Sequence, residues 1–287
     1  MSFVLGLVAA FVGWWPESLV RLVARIAGAA WAFLVPYRHG VVNANLAQAF
    51  PEAPPRERRR IARAAYVHLV QTLLEFIRIR AYVRRGFPRV DRRGAEHLAE
   101  AKARGKGTLI LSGHLGSFEL VVAGSAEEFA PVSLVVKPFT PGVDAFVNDT
   151  RRSAGLKIIP AAGAVRPVLK ALKNNETVVF VLDQNATRSI GVFVDFFGKS
   201  ACTMTGLAVL AERTGATVVG VKPYRERDGH VAEISAPIPF ERKATRAETV
   251  EHMTQRYTEW IEAAIREHPE QWFWTHKRFR TRPLPPG

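Results

Sequence analysis

From residue 108 onward, short runs rich in β-branched residues alternate with stretches of helical periodicity, and no other feature restricts the fold as much. Strands are expected at 108–112, 132–137, 156–159, 177–182, 192–196, 217–224 and 231–235. Helices are expected near 117–128, 143–153, 164–173, 203–214 and 246–267. Strand, helix and strand in succession build a largely parallel sheet with helices packed on it, so the expected fold class is α/β. Ligands of such sheets bind beyond the carboxyl ends of the strands, which makes the loops after strands the place to look for chemistry.

The first 37 residues have a different texture. Residues 3–15 carry no charge, and as a helix they would reach about 20 Å, short of the roughly 30 Å of hydrocarbon that a span must cross. After Pro16 the chain is again apolar from Leu19 to Tyr37 except for Arg21 and Arg25, which stand four apart and so share one helical face. Trp14, Trp15 and Trp31 sit at the ends or rim of these stretches, where amphipathic rings favour the headgroup level. Residues 1–37 are therefore expected to form apolar helices that associate with a membrane, mostly by lying in its interface. Core helices of the same length are the competing reading. No basic residue precedes the first apolar run and no clear small-residue cleavage site follows it, which disfavours a signal peptide and puts the rest of the chain on the cytoplasmic side.

Residues 38–104 read as a basic helical part and 105–287 as the α/β core. From Glu57 to Arg80 the apolar positions recur at three and four, the mark of an amphipathic helix. Its run Arg56, Arg58, Arg59, Arg60 and Arg63 is a solvated face or a contact for anionic lipid. Lys plus Arg number 40 against 26 Asp plus Glu, a formal charge of +14. Such an excess calls for an anionic partner: nucleic acid, a membrane surface, a phosphorylated substrate or an acidic protein. The closing Trp272, Trp274, Lys277, Arg278, Arg280 and Arg282 mix aromatic rings with cations, as a nucleic-acid surface does. No nucleic-acid-binding motif accompanies them, so an interfacial or substrate-phosphate role is expected and nucleic acid is not expected as a partner. The single Cys202 excludes an internal disulfide and a cysteine-rich metal site. The dispersed histidines give no metal-ligand spacing, so neither metal nor cofactor is expected.

The residues with chemistry follow the first strong strand, in Leu109-Ile-Leu-Ser-Gly-His114-Leu-Gly-Ser-Phe-Glu119. Gly113 permits a tight turn, and Gly116 or Ser117 can cap the next helix, leaving Glu119 in its first turn. With a turn between them, the Glu119 carboxylate is expected to face the His114 imidazole, fixing its tautomer so that the other ring nitrogen takes a proton from an attacking hydroxyl. Ser112 and Ser117 lack a G-x-S-x-G elbow, and Cys202 has no histidine near it in sequence, so a covalent acyl-enzyme is less supported. A histidine merely packed in a loop is the bland alternative.

His-x4-Glu after a strand resembles the signature of glycerolipid-type acyltransferases, and the chain from about residue 20 to Pro283 is similar to the bacterial lipid A biosynthesis lauroyl/myristoyl acyltransferases. The likeness extends through Asn43-Ala-Asn-Leu-Ala-Gln-Ala-Phe-Pro-Glu52, Arg151-Arg-Ser-Ala-Gly-Leu-Lys-Ile-Ile159, Asp183-Gln-Asn, Gly191-Val-Phe-Val-Asp-Phe-Phe-Gly198 and Trp272-Phe-Trp-Thr-His-Lys-Arg-Phe-Arg-Thr-Arg-Pro283. The resemblance implies transfer of a fatty acyl chain from an acyl carrier protein or coenzyme A thioester to a hydroxyl of a membrane glycolipid such as a lipid A precursor. It also implies the cytoplasmic face of the inner membrane and its anionic lipids. On it His114 is the general base, Glu119 its partner, Arg151 or Arg152 a phosphate or phosphopantetheine contact, and Asp183 a residue lining the site. The same family contains phosphatidylinositol mannoside acyltransferases. A non-catalytic basic membrane-binding protein is the alternative from another class.

Overall fold

The computed structural model describes residues 2–35, 37–227 and 229–284; Met1 and Pro36 of the expected membrane segment, Asp228 and residues 285–287 lie outside them. Five helices come first: α1 (Ser2–Val12), α2 (Glu17–Leu34), α3 (His39–Ala49), α4 (Pro55–Ile77) and α5 (Ile79–Arg85). The α/β part then runs β1 (Val90–Arg93), α6 (Ala95–Ala103), β2 (Thr108–Ser112), α7 (Phe118–Ser125), β3 (Val132–Val136), α8 (Pro141–Ser153), β4 (Lys157–Pro160), α9 (Val165–Lys173) and β5 (Thr177–Val181). A hairpin of β6 (Gly191–Asp195) and β7 (Ser200–Met204) follows, then α10 (Gly206–Thr214), β8 (Thr217–Glu226), β9 (Gly229–Pro237) and α11 (Arg246–Glu267).

Seven strands form one sheet in the order β1-β9-β8-β2-β5-β3-β4. Neighbours are parallel except β8 and β9, which are antiparallel, so β1 and β9 run against the other five. β2 lies at the centre, buried on both faces: Leu109 and Leu111 enter the core under α4, α10 and α11, whereas Ile110 enters the core under α6 and α7. A near-continuous apolar strand is what a doubly covered parallel sheet requires. The sheet begins at Val90, earlier than the expected boundary at 105. Val-Asp-Arg-Arg is a polar edge strand that takes its place by pairing with β9 rather than by hydrophobic pattern. Likewise Thr203 and Met204, expected in a helix, belong to β7.

The N-terminal helices are docked on the body. Val20, Ala24 and Gly28, four residues apart, are the buried line of α2, and at Gly28 a Cβ would fall 2.4 Å from the Cα of Val67 on α4. Arg78 donates to the carbonyl of Trp15 at 2.6 Å and pairs with Glu17 at 2.9 Å. Arg85 donates to the carbonyl of Gly13 at 2.8 Å. These cations satisfy carbonyls at the end of α1, where the helix dipole is negative. The opposite side of α1, α2 and the turn between them leaves Phe3, Phe11, Trp14, Ile26 and Phe33 more than 60% exposed. Among the described residues no single helix is long and apolar enough to cross a membrane. Trp31, expected at the rim, instead turns inward on Tyr66 and Tyr37.

The closing aromatic and basic segment also departs from expectation. Trp272, Trp274 and Arg278 are among the most deeply buried side chains, so they are core rather than interface. Arg278 donates to the carbonyl of Cys202 at 2.8 Å and to the Thr203 hydroxyl, with its guanidinium over the Phe196 ring.

Candidate active site

The site is built where β2 ends. Ser112 Oγ donates to the carbonyl of Val221 at 2.8 Å, tying the strand end to β8. The turn then presses against β8 so closely that a Cβ on Gly116, at φ +55°, would stand 2.3 Å from the carbonyl oxygen of Pro223. Glycine is the residue that fits both the backbone angle and the gap. On the turn's other side the closing segment pairs with it: Gly116 N–H donates to the carbonyl of Gln271 at 3.0 Å and Phe273 N–H to that of His114 at 3.2 Å.

Asp183 follows β5, the strand beside β2, and its carboxylate collects three donors. His114 Nδ1 lies 2.7 Å from Oδ1, the His114 backbone N–H donates to Oδ2 at 2.8 Å, and Trp272 Nε1 donates to Oδ2 at 2.7 Å. Burial opposes the Asp183 charge, but the imidazole and these hydrogen bonds outweigh it and bring its pKa to about 2. For His114 burial likewise disfavours the cation, and the Asp183 charge and hydrogen bond overcome that and raise its pKa. A carboxylate acceptor puts the proton of the neutral ring on Nδ1. Nε2, with Gln184 Nε2 at 3.2 Å, is left as the basic atom facing the cavity.

Glu119 lies in the first turn of α7 as expected, but its carboxylate is held by Arg151 of α8 and not by the imidazole. Arg151 Nε donates to Oε2 at 3.1 Å and Nη2 to Oε1, while Nη1 donates to Asn148 Oδ1 at 3.2 Å. The guanidinium fork matches a carboxylate bidentately, and both partners are buried. Arg152, one residue on and therefore about 100° round the helix, is exposed and bonds Asp149 at 3.1 Å; it lines no part of the cavity. Asp183, expected to line the site, stands behind His114 as its partner.

In front of His114 opens a cavity of about 360 Å³. Leu69, Leu73 and Phe76 of α4 form one wall and Val143 and Val147 of α8 another; spacings of three and four put each set on one helical face. His114, Glu119, Arg151 and Gln184 supply its polar end, and His68 and Thr72 add polar groups from α4. Sequence reasoning missed Gln184 and the tie of Trp272 to Asp183. It also missed that Asn45, Asn185 and His276 meet behind the site. Asn45 Nδ2 donates to the carbonyls of Trp274 and His276, and Asn185 N–H donates to His276 Nε2. These residues come from three of the segments that carried the resemblance, so the signal was present without its geometry.

Comparison with known proteins gives the family. The family model described as bacterial lipid A biosynthesis acyltransferase matches residues 1–281. The chain belongs to this family. The acyltransferase is 28% identical over 274 residues to the lipid A biosynthesis palmitoleoyltransferase of Escherichia coli (strain K12), covering 93% of this chain and 86% of that protein. It is 27% identical over 252 residues to the lipid A biosynthesis lauroyltransferase of the same organism, covering 86% and 80%. With the phosphatidylinositol mannoside acyltransferase of Mycolicibacterium smegmatis (strain ATCC 700084 / mc(2)155) it shares 27% identity over 183 residues, 62% of this chain and 58% of that one.

Proposed function

We propose that the acyltransferase moves a fatty acyl chain from an acyl carrier protein or coenzyme A thioester to a hydroxyl of a lipid A precursor, with His114 as general base. The observation that carries this is the buried Asp183 carboxylate on His114 Nδ1, which leaves Nε2 basic at the polar end of an apolar cavity. The acyl chain lies between α4 and α8. The acceptor hydroxyl displaces the Gln184 amide from Nε2, gives its proton to that nitrogen, and its oxygen attacks the thioester carbon. The carbon–sulfur bond then breaks, and the leaving thiolate takes the proton back from Nε2. Asp183 stabilises the imidazolium between these steps. The Arg151 cation, fixed by Glu119, meets the phosphate or phosphopantetheine part of the donor.

Residues 1–37 form the membrane-associating part and hold the enzyme at the cytoplasmic face of the inner membrane. Exposed Phe3, Phe11, Trp14, Ile26 and Phe33 support this, as does Arg63 of the basic helix stacked on Phe33. Anionic lipid then meets the arginines at the start of α4. A second acceptor, a phosphatidylinositol mannoside, is favoured by the similarity to the Mycolicibacterium smegmatis enzyme. The test is transfer from carrier-protein thioesters of graded chain length to a lipid A precursor or a phosphatidylinositol mannoside, with product mass as readout. Acylated lipid A precursor is expected; acylation of the mannoside alone would move the acceptor, and no acyl transfer would overturn the proposal.

A further inference from the structure

Inside the molecule, next to the catalytic turn, a second set of buried charges clamps α4 to β8. Arg225 forms a bidentate pair with Glu75, donating from Nε at 3.0 Å and from Nη2, and it also donates to His68 Nδ1 and to Thr72 Oγ1, the latter at 2.9 Å. Glu75 is 2% exposed, and although burial opposes its charge, the Arg225 guanidinium brings its pKa to about 2. None of these groups has a part in the proton transfer described above, yet His68 and Thr72 both line the cavity that His114 faces.

The donors and acceptors of this cluster settle where the Thr72 proton goes. A guanidinium only donates, so His68 Nδ1 accepts and the proton of the neutral ring sits on Nε2. Burial, then the Arg225 charge, keep that ring neutral by pushing its pKa well below 6.5. Nε2 lies 3.3 Å from Thr72 Oγ1 and, being protonated, cannot accept from it. Arg225 Nη2 is a donor as well. Neither neighbour of the hydroxyl can therefore accept its proton, which must point elsewhere.

A threonine inside a helix ordinarily gives that proton to the carbonyl four residues back. Thr150, Thr214, Thr249, Thr254 and Thr258 of this protein all do so, at 2.6–2.8 Å. Thr72 has no such bond to the His68 carbonyl; its oxygen instead lies 2.9 Å from Arg225 Nη2. Among the described residues no acceptor takes its proton, and the side chain borders the cavity. A hydroxyl that accepts from a cation is also a polarised, stronger donor.

We propose that Thr72, set by Arg225 and His68, is a carbonyl-binding residue whose hydroxyl donates to the thioester oxygen of the acyl donor in the cavity. The assignment rests on the acyl-transfer reading. The donor carries one polar group at the head of a long apolar chain, and Thr72 offers a hydroxyl donor among the apolar Leu69, Leu73 and Phe76 of the α4 wall, whereas the Tyr66 hydroxyl on the same helix already donates to the carbonyl of Tyr37. The clamp thus does two things at once: it fixes the wall against the catalytic turn, and it points one hydrogen-bond donor at the group to be attacked.

Two unreactive pantetheine analogues with the same alkyl chain test it on the full-length enzyme in detergent: a ketone, in which CH2 replaces the sulfur, and a thioether, in which CH2 replaces the carbonyl. The wild type is expected to bind the ketone about threefold to tenfold more tightly, the range for one net hydrogen bond. Thr72→Val should bind the thioether as the wild type does and lose the preference for the ketone, and Thr72→Ser should keep it. Should the valine chain fail to bind the thioether, Thr72→Ala gives the same comparison with the side chain shortened. A ketone preference that survives in the valine or alanine variant, or is absent from the wild type, would overturn the assignment alone. Wild-type enzyme that binds neither analogue would overturn the donor cavity together with it.

Discussion

Asp183 and His114 are 69 residues apart in the chain and joined twice, by the imidazole Nδ1 at 2.7 Å and by the backbone N–H at 2.8 Å. The double tie fixes ring and turn together, because the carboxylate that selects the tautomer also anchors the residue carrying it. His114→Ala should therefore lower turnover by about 100-fold or more, the usual span for a lost general base, with thermal unfolding little changed. Near-normal turnover in that variant would remove His114 from the mechanism.

The Glu119–Arg151 pair is a buried ion pair with both members in the cavity wall. Removing one partner leaves an uncompensated charge, a loss of about 3–5 kcal/mol. Arg151→Met and Glu119→Gln should each lower the unfolding temperature, and the double variant should recover part of that loss without recovering turnover. Restored turnover in the double variant would show that Arg151 acts only in the structure.

Glu75 and Asp183 make stability depend on acid. Both have folded-state pKa values of about 2, below their ordinary 4.5 and 3.8. Their contribution is thus present above those ordinary values and is lost as pH falls from about 4.5 to about 2. For Glu75 alone the linked amount is on the order of 3 kcal/mol. Chemical denaturation at a series of pH values should show the wild type weakening steeply through that window, and Glu75→Gln should flatten the slope.

Membrane binding is expected to resist salt. Apolar insertion is not screened, whereas attraction to anionic lipid is screened beyond about 8–10 Å at ordinary ionic strength. Deleting α1 and α2 would also uncover the α4 face that Gly28 packs on, so surface substitution is the cleaner probe. Changing Phe3, Phe11, Trp14 and Phe33 to serine should leave a folded protein that floats with anionic vesicles only at low salt. Release of the unaltered protein by salt alone would make the N-terminus a core element and not an anchor.

What could be read from sequence follows from how local each signal is. β2 and α11 were located to the residue: the first is a central strand with Leu109, Ile110 and Leu111 between Thr108 and Ser112, and the second opens with a capping box between Thr245 and Glu248. β1 was illegible because Val-Asp-Arg-Arg has no hydrophobic alternation and owes its conformation to β9. At the site, the strand-end position of His114 was legible. Its partner was not, since spacing arguments favour the acid five residues on, and parallel pairing of β2 with β5 delivers a different acid from the neighbouring strand. Arg151 and Arg152 look alike in sequence, and helix phase alone sends one into the cavity and the other to solvent.

The most direct test of the His114–Asp183 account is the pH dependence of kcat/KM in the wild type and in Asp183→Asn. The base works when unprotonated, and Asp183 raises the pKa of His114 above 6.5, so wild-type kcat/KM should rise with pH through an apparent pKa above that value. Asparagine removes the charge that holds the proton, so the rising limb should move to lower pH while the plateau falls by about 100-fold. An unchanged limb and plateau in Asp183→Asn would contradict the account.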